Sequence, residues 1–324
     1  MQASVHPRYR IVFTRSMAKS SQIPAEQAVS DEEFVTVSDG VSICFQTFGD
    51  PAHEAVLLVM GLGGPMTWWD PEFCKLLASK GLFVIRYDNR DTGRSTKLKQ
   101  HVVTKADVVK AFAGRSVQQP YSLARMGEDG LAVLDALGID SAHVCGISMG
   151  GMIAQTLAVE HPERVLSLVS IMSTTGSRRV GWQDPKLMPA LLAPRKGGRA
   201  IYMENSADFW KKISSPGYPE PRQGALDRAA VTWDRGFSAT GVVRHMLAVL
   251  TQPNRTAALS RVTVPSAVIH GLNDRMVHVS GGRATAQALP GSELVLVPGM
   301  GHDVPAALFD QITDVVRRTA DRTH

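Results

Sequence analysis

The stretch Gly146-Ile147-Ser148-Met149-Gly150 directly follows the apolar run Ala142–Cys145 and directly precedes a segment with helical spacing. It matches the pattern G-x-S-x-G, which in the order strand, turn, helix is typical of a serine nucleophile at the edge of a sheet. The turn is so tight that side chains beside the serine would collide, which is why glycines flank it. The pattern therefore predicts that Ser148 is a nucleophile; the alternative is a purely structural turn.

Outward from this turn, short and nearly continuous apolar runs recur along the chain, as expected for strands buried on both faces of a parallel sheet. The runs are Ala55–Met60, Phe83–Tyr87, Ala142–Gly146, Val165–Met172, Ser266–Gly271 and Glu293–Val297. Helical segments lie between them at Tyr121–Leu137, Met149–Glu160 and Ala306–Ala320. The sequence thus predicts an α/β fold with a mostly parallel central sheet flanked by helices.

A hairpin is predicted near the beginning of this pattern. Residues 33–48 alternate between apolar and polar side chains around Asp39-Gly40. An Asp-Gly pair between alternating segments is typical of a two-residue hairpin turn.

The alternation stops between residues 176 and 258, where prolines and glycines are frequent and no run resembles a strand. Helical pieces are expected at Pro185–Leu192, Gly198–Trp210 and Gly241–Leu250. We interpret residues 176–258 as a helical cap inserted into an α/β core of residues 33–175 and 259–324.

The N-terminal residues 1–32 are expected to be a basic, disordered tail. The first 19 residues hold four basic side chains (Arg8, Arg10, Arg15 and Lys19) and no acidic one. This composition weakly resembles a transit peptide, but it lacks the apolar segment of a secretory signal, so the cytoplasm is the expected location. Met17 is an alternative start, which leaves open whether residues 1–16 belong to the native protein.

The charge and composition exclude several classes of function. The net charge is +5, but without residues 1–19 the chain has 31 basic residues and 30 acidic ones, which argues against a nucleic-acid-binding surface. No apolar run is long enough for a transmembrane helix. Cys44, Cys74 and Cys145 are too few and too scattered for a disulfide framework or a zinc cluster, so reduced core thiols are expected.

A serine nucleophile needs a base and an acid to orient that base, and on this architecture they follow the serine in the order acid, then histidine. Asp274 comes just after the predicted strand Ser266–Gly271, and His302 just after Glu293–Val297. Both positions lie beyond the carboxyl ends of strands, where open α/β sheets bind ligands. The sequence predicts Ser148, Asp274 and His302 as the catalytic residues.

Other acids and histidines are weaker candidates for these roles. His270 ends a buried strand and is expected to be a core histidine, while His278 and His143 fit the role of base less well. Asp303 is poorly placed to orient His302 because it is the next residue in the chain. Asp274 itself has a structural alternative as a turn or helix cap.

Backbone N–H groups that stabilise an oxyanion are expected from two turns. One is the turn of Ser148, which offers the N–H of Met149, and the other is Met60-Gly61-Leu62-Gly63-Gly64, which offers the N–H of Leu62. The glycines of the second turn fit neither G-x-G-x-x-G nor a P-loop, so a nucleotide site is not predicted.

The motifs around Ser148, Asp274 and His302 resemble those of α/β-hydrolase-fold serine hydrolases, and the resemblance covers roughly Glu33 to Ala320. Met60-Gly61-Leu62-Gly63-Gly64, Trp68-Trp69 and Val84–Asp88 are most similar to bacterial carboxylesterases of the aclacinomycin-methylesterase-like group. The loop Arg86–Ser95 also resembles a family loop, and we expect structural roles for its Asp88 and Arg90. One departure is Met60-Gly61, where the wider family usually has His-Gly.

The resemblance implies an esterase that cleaves small-molecule carboxylic esters through an acyl-enzyme and needs no cofactor or metal. Family members that act on haloalkanes or epoxides carry aspartate at the position of Ser148, so those reactions are not expected. Alternatives with the same residues are a cofactor-free haloperoxidase or perhydrolase, a C–C bond hydrolase and, outside catalysis, a ligand receptor. The oligomeric state cannot be predicted.

Two features bear on the substrate, and both have structural alternatives. Five methionines near the motif loops suggest an adaptable apolar pocket or simply core packing; they are Met60, Met66, Met149, Met152 and Met300. Residues 178–235 carry an excess of basic side chains, which fits a solvated face better than an anionic substrate site. Trp182, Trp210 and Trp233 of the cap either line a site or pack the cap on the sheet.

Overall fold

The computed structural model describes residues 3–6, 9–13, 28–187 and 197–323. Within these residues, ten strands form one sheet. They are β1 (Ala3–His6), β2 (Tyr9–Phe13), β3 (Glu33–Thr36), β4 (Ser42–Phe48), β5 (Glu54–Val59), β6 (Leu82–Tyr87), β7 (Ala142–Ile147), β8 (Val165–Ile171), β9 (Ser266–Gly271) and β10 (Ser292–Val297). All six apolar runs of the sequence are strands, because each lies between helices and buries both of its faces.

The strand order is β1-β2-β10-β9-β8-β7-β5-β6-β4-β3. The neighbours from β2 through β10 to β6 are parallel, while β1 pairs antiparallel with β2 and β4 pairs antiparallel with β6 and β3. The predicted mostly parallel sheet is therefore confirmed. The carboxyl ends of β5, β7, β9 and β10 meet at one edge, which brings together the loops that carry the predicted site.

Helices connect the strands and cover the sheet. They are α1 (Pro71–Ser79), α2 (Lys105–Phe112), α3 (Leu123–Ala136), α4 (Met149–Glu160), α5 (Arg199–Ile213), α6 (Arg222–Asp234), α7 (Ala239–Thr251), α8 (Thr256–Leu259), α9 (Ser280–Ala288) and α10 (Phe309–Ala320). Local signals mark both ends of α3: the Ser122 hydroxyl accepts from the N–H of Arg125, and Gly138 follows the helix with φ of +70°. None of the helices described is long and apolar enough to cross a membrane.

The cap region 176–258 contains helices α5, α6 and α7 and most of the short helix α8. The sequence missed α6, because Pro219 and Pro221 suggested a loop and only three of the helix's residues are buried. Of the predicted piece Pro185–Leu192, residues 185–187 form a single 3₁₀ turn, and the remainder lies outside the described residues. The boundaries of the cap stay a prediction.

The hairpin of β3 and β4 has a longer loop than the sequence predicted. The N–H of Val37 donates to the carbonyl of Val41, which leaves the three residues Ser38, Asp39 and Gly40 in the loop. The N–H of Gly40 donates back to Val37 O, and the φ of Gly40 is +79°. Three-residue hairpins end in such a left-handed residue, so the Asp-Gly pair specifies a turn here without fixing its length.

The N-terminus also differs from the predicted disordered tail. Strand β2 pairs in parallel with β10, and β1 pairs with β2, so these residues extend the sheet beyond β10. The β-branched and aromatic residues of Tyr9-Arg10-Ile11-Val12-Phe13 were a strand signal that the basic charge obscured. Residues 14–27 lie outside the described residues.

The three cysteines are free and buried, as the sequence predicted. Burial raises the pKa of the Cys44 and Cys74 thiols to about 12, and it raises the pKa of Cys145 further. Cys145 lies on β7, three residues before Ser148. All three thiols are therefore structural rather than reactive groups; the sulfur of Cys44 also contacts the side chains of Glu32 and Arg235.

Candidate active site

Ser148 occupies a strained turn between β7 and α4. Its backbone angles are φ 56° and ψ −118°, outside the regions that residues other than glycine prefer. Its N–H donates to the carbonyl of Ile171 at 2.9 Å, and its carbonyl accepts from the hydroxyl of Ser173 at 2.8 Å. These bonds to β8 and the residues that follow it hold the strained conformation in place.

Glycines flank Ser148 because the neighbouring backbones leave no room for a side chain. A Cβ on Gly146 would lie 2.1 Å from the carbonyl oxygen of Gly150. A Cβ on Gly150 would lie 2.0 Å from the carbonyl oxygen of Val59, at the end of β5. The G-x-S-x-G pattern thus allows α4 to approach β5 and β7 closely enough to present the serine hydroxyl at the edge of the sheet.

The structure brings together the three predicted catalytic residues. His302 Nε2 lies 3.0 Å from Ser148 Oγ, and His302 Nδ1 lies 2.8 Å from Asp274 Oδ2. Asp274 follows β9 and His302 follows β10, so adjacent parallel strands deliver the pair. With an ionised Asp274, Nδ1 carries the proton and donates to the carboxylate, which leaves the Nε2 lone pair for the serine hydroxyl.

Asp274 is buried but stays ionised. Its Oδ1 accepts from the N–H groups of Met276 and Val277 at 2.8 and 2.9 Å. Burial alone would raise the pKa of this carboxyl, but the charge of His302 and the hydrogen bonds from His270 and His302 outweigh it. The pKa of Asp274 is therefore held below its usual range, as an acid that orients a histidine requires.

The other candidates of the sequence lie elsewhere. His270 is fully buried, with Nε2 2.8 Å from the carbonyl of Val277, so it belongs to the surroundings of the acid. His278 stacks on Trp182 at 4.3 Å, and the Nδ1 of His143 faces the hydroxyl of Ser167. The carboxylate of Asp303 accepts from the Ser215 hydroxyl rather than meeting His302.

The glycine turn after β5 lies beside Ser148. A Cβ on Gly61 would be 3.3 Å from Ser148 Cβ and 3.9 Å from Ser148 Oγ. Among the described residues, no hydrogen-bond acceptor faces the backbone N–H of Leu62 or of Met149. The role of these two N–H groups as oxyanion donors stays a prediction.

Comparison with known proteins agrees with this fold. The model of the alpha/beta hydrolase fold family matches residues 54–305, which is more than half of the chain. This chain belongs to the alpha/beta hydrolase fold family. The matched residues of this alpha/beta hydrolase include the loops that hold Ser148, Asp274 and His302.

Two relatives are similar to this alpha/beta hydrolase over most of its length. The rhodomycin D methylesterase DnrP of Streptomyces peucetius is 30% identical and covers 86% of this chain and 95% of its own length. The rhodomycin D methylesterase DauP of Streptomyces sp. (strain C5) is 31% identical and covers 86% of this chain and 94% of its own length. The solved structure of a hydrolase from Pseudomonas aeruginosa PA01 has the same fold, with a TM-score of 0.65 and 24% identity. The match covers 90% of this chain and 98% of that hydrolase. The resemblance to an esterase group is confirmed.

A large cavity of about 2040 Å³ opens beside Ser148 and His302, between the sheet edge and the cap helices. Typical sites for small molecules have roughly 300 to 1,000 Å³, so this one has room for a bulky ligand. All three cap tryptophans line it, as do Trp68, Tyr202, Phe209 and Phe237. Of the five methionines, Met60, Met149 and Met152 line the cavity, whereas Met66 and Met300 are core residues.

The loop after β6 anchors the cap, a role that sequence reasoning did not find. Asp88 accepts from Arg235 at 2.8 Å, and Asp91 forms a two-bond ion pair with Arg244 at 2.6 and 2.7 Å. Arg90 pairs instead with Asp129 of α3. The expectation that Asp88 and Arg90 are structural agrees with these contacts, but the two cap arginines lie about 150 residues from their partners in the chain.

The cap also holds the loop of His302. The N–H of His302 donates to the carbonyl of Ile213 at 2.7 Å, and the N–H of Gly301 donates to the Ser215 hydroxyl at 2.8 Å. Ile213 ends α5, so the position of the candidate base depends on the cap as well as on β10.

Proposed function

We propose that this alpha/beta hydrolase cleaves carboxylic esters through an acyl-enzyme, with Ser148 as nucleophile. The observation that carries the proposal is the 3.0 Å contact between Ser148 Oγ and a His302 whose Nδ1 faces a buried carboxylate. A serine hydroxyl is a weak nucleophile alone, and this arrangement supplies the base that activates it.

The acylation step follows from the positions of these atoms. His302 Nε2 takes the proton of Ser148 as Oγ attacks the ester carbonyl, and Asp274 stabilises the imidazolium that forms. The N–H groups of Leu62 and Met149 donate to the oxyanion of the tetrahedral intermediate. His302 then gives its proton to the departing alcohol, which leaves the acyl group on Ser148.

Deacylation repeats these steps with a water molecule in place of the serine hydroxyl. His302 removes a proton from a water molecule that attacks the acyl carbonyl, and the same two N–H groups stabilise the second oxyanion. The proton returns to Ser148 Oγ as the carboxylic acid leaves, so the free enzyme is restored without a cofactor.

The cavity favours esters of bulky, ring-containing acids over short aliphatic esters. Aromatic side chains lie on its cap side, among them Trp182, Trp210 and Trp233, and flat rings pack well against such surfaces. The two relatives are named for a methylesterase activity on rhodomycin D, which supports a small alcohol as leaving group. We expect methyl esters of multi-ring acids to have a higher kcat/KM than methyl acetate or butyrate.

The decisive experiment is labelling with a fluorophosphonate probe and peptide mapping, on the wild type and on Ser148→Ala. We expect one label per chain, on Ser148, and none on the folded variant. Ester hydrolysis, peracid formation and cleavage of a dienoate are then assayed in parallel. Labelling without ester turnover would move the proposal to one of the other two reactions, and folded wild type without label would favour a ligand receptor.

A further inference from the structure

His245, on cap helix α7, connects the cap to the glycine turn beside Ser148. It is fully buried. Its Nδ1 accepts a hydrogen bond from the backbone N–H of Gly63 at 3.1 Å, and its Nε2 lies 2.8 Å from the carbonyl of Arg90. Since a backbone N–H can only donate, Nδ1 is unprotonated and Nε2 carries the proton that is donated to Arg90.

The turn that His245 contacts carries the N–H of Leu62. The N–H of Gly64 donates to the carbonyl of Gly61 at 3.2 Å, which closes a four-residue turn with Leu62 and Gly63 at its centre. Gly63 has φ of +68°, the conformation that a type II turn requires at its third residue. A Cβ on Gly63 would lie 2.8 Å from Val242 of α7, so the cap helix packs directly on this turn.

The hydrogen bond to His245 selects one orientation of the central peptide of the turn. Type I and type II turns differ mainly by a flip of the peptide between the second and third residues, here Leu62 and Gly63. In the flipped form the carbonyl oxygen of Leu62 would face His245 Nδ1, and the lone pairs of these two atoms would repel each other. The N–H of Gly63 would also lose its hydrogen-bond partner. His245 therefore favours the observed form over its alternative.

We propose that His245 is a positioning residue for ester hydrolysis: its bond to the N–H of Gly63 fixes the form of this turn, and through the turn the place of the adjoining Gly61–Leu62 peptide, which carries the N–H of Leu62. This inference rests on the proposed function, because a fixed oxyanion donor matters only if an oxyanion forms. It gives the cap a role in the chemical step in addition to shaping the cavity. The residue does not itself touch the reacting atoms.

Two substitutions separate this role from simple packing. In His245→Asn, the side-chain oxygen occupies nearly the position of Nδ1 and can accept from Gly63. In His245→Gln, the amide reaches nearly the position of Nε2 and can donate to Arg90, but no acceptor faces Gly63. Both variants remove a buried ring, so similar losses of stability are expected.

We expect His245→Gln to lower kcat by about 10- to 100-fold with KM changed by less than about threefold, because a displaced oxyanion donor weakens transition-state binding alone. His245→Asn should keep kcat within about threefold of the wild type. Equal losses of kcat in both variants, or full kcat in His245→Gln, would overturn the inference while leaving the proposed function intact. A wild type that hydrolyses no ester would overturn both.

A measurement on the wild type tests the bond even if the variants do not fold. The sequence contains only two Leu-Gly pairs, Leu62-Gly63 and Leu137-Gly138. Labelling with ¹³C-carbonyl leucine and ¹⁵N-glycine therefore leaves two amide signals in a carbonyl-edited spectrum. Gly63 is only half-buried, so we expect slow hydrogen exchange at this amide because of its bond to His245. Exchange at the rate of an unstructured glycine would contradict the proposal.

Discussion

His270 Nε2 lies 3.4 Å from Asp274 Oδ2, the same oxygen that faces Nδ1 of His302. Two imidazoles therefore share one carboxylate oxygen, while the N–H groups of Met276 and Val277 occupy the other. Each of these contacts favours the ionised form of the acid. The surroundings of Asp274 thus keep it negative in a site from which water is largely excluded.

The first prediction concerns the identity of the acid. Asp274→Asn should lower kcat of ester hydrolysis by roughly 10³- to 10⁴-fold, because an amide cannot stabilise the imidazolium or fix its tautomer. Asp303→Asn is the matched control, since Asp303 is partly buried and lies next to His302 but bonds Ser215. It should lower kcat by less than about tenfold. The reverse order of the two effects would assign the acid to Asp303.

The second prediction concerns the tight turn of Ser148. Gly150→Ala should lower the free energy of unfolding by roughly 3 to 5 kcal/mol, or prevent folding, because its Cβ would collide with the backbone of Val59. Gly198→Ala, at the beginning of α5, meets nothing within 4 Å and should change it by less than about 1 kcal/mol. Urea denaturation measures both. Comparable losses would mean that the collision is relieved elsewhere.

The third prediction concerns the ion pairs of the cap. Arg244→Met should lower the free energy of unfolding by roughly 3 to 5 kcal/mol, because it leaves the buried Asp91 without its counter-charge. Arg199→Met removes the exposed pair between Arg199 and Asp234 and should leave the free energy of unfolding nearly unchanged. Thermal or urea unfolding distinguishes the two. A small effect of Arg244→Met would show that water reaches Asp91.

The fourth prediction concerns pH and His245. Burial lowers the pKa of this histidine, and Arg244 and Arg90 lower it further, against the opposing effects of Asp91 and the hydrogen bond to the Arg90 carbonyl. The ring of Tyr121 lies 6.2 Å away. Near pH 6.5, the ordinary pKa of a histidine, His245 therefore binds a proton in the unfolded chain but not in the folded chain.

The sign follows from this difference. The neutral, buried His245 makes its full contribution to the free energy of unfolding above a pH of about 6.5. Below that pH the contribution decreases, by at most about 1.4 kcal/mol per pH unit. His245→Asn lacks this titration, so the stability advantage of the wild type should shrink toward acid pH. Urea denaturation at a series of pH values measures the difference. A constant difference between pH 5 and 8 would show that the folded histidine titrates normally.

The sequence predicted the parts of the site that lie on regular elements. Ser148, Asp274 and His302 each follow a buried apolar run, and parallel strands bring such positions to one edge of the sheet. The glycines around Ser148 are informative because the backbone contacts there exclude any side chain. Local pattern and topology together were sufficient to predict that these three residues lie close to one another; their catalytic role stays a prediction.

The contacts between cap and core were not predictable in the same way. Arg235 ends the basic stretch 178–235 that suggested a solvated face, yet it contacts Asp88 of the β6 loop. Arg244 and His245 lie further along the cap and are buried against the β6 loop and the glycine turn. No repeating pattern marks them, because each contact joins single residues that are distant in the chain. The helix α6 was missed for a related reason, since few of its side chains are buried.

The cysteines of this protein have a practical consequence. Because their thiols are buried and their pKa values are raised, alkylating reagents at neutral pH will react only when the surrounding structure opens. Cys145 lies on β7 just before the turn of Ser148, Cys74 lies on α1 and Cys44 on β4. The extent of alkylation at each cysteine, followed over time by mass spectrometry, thus reports how often β7, α1 and β4 become accessible to solvent, without any engineered probe.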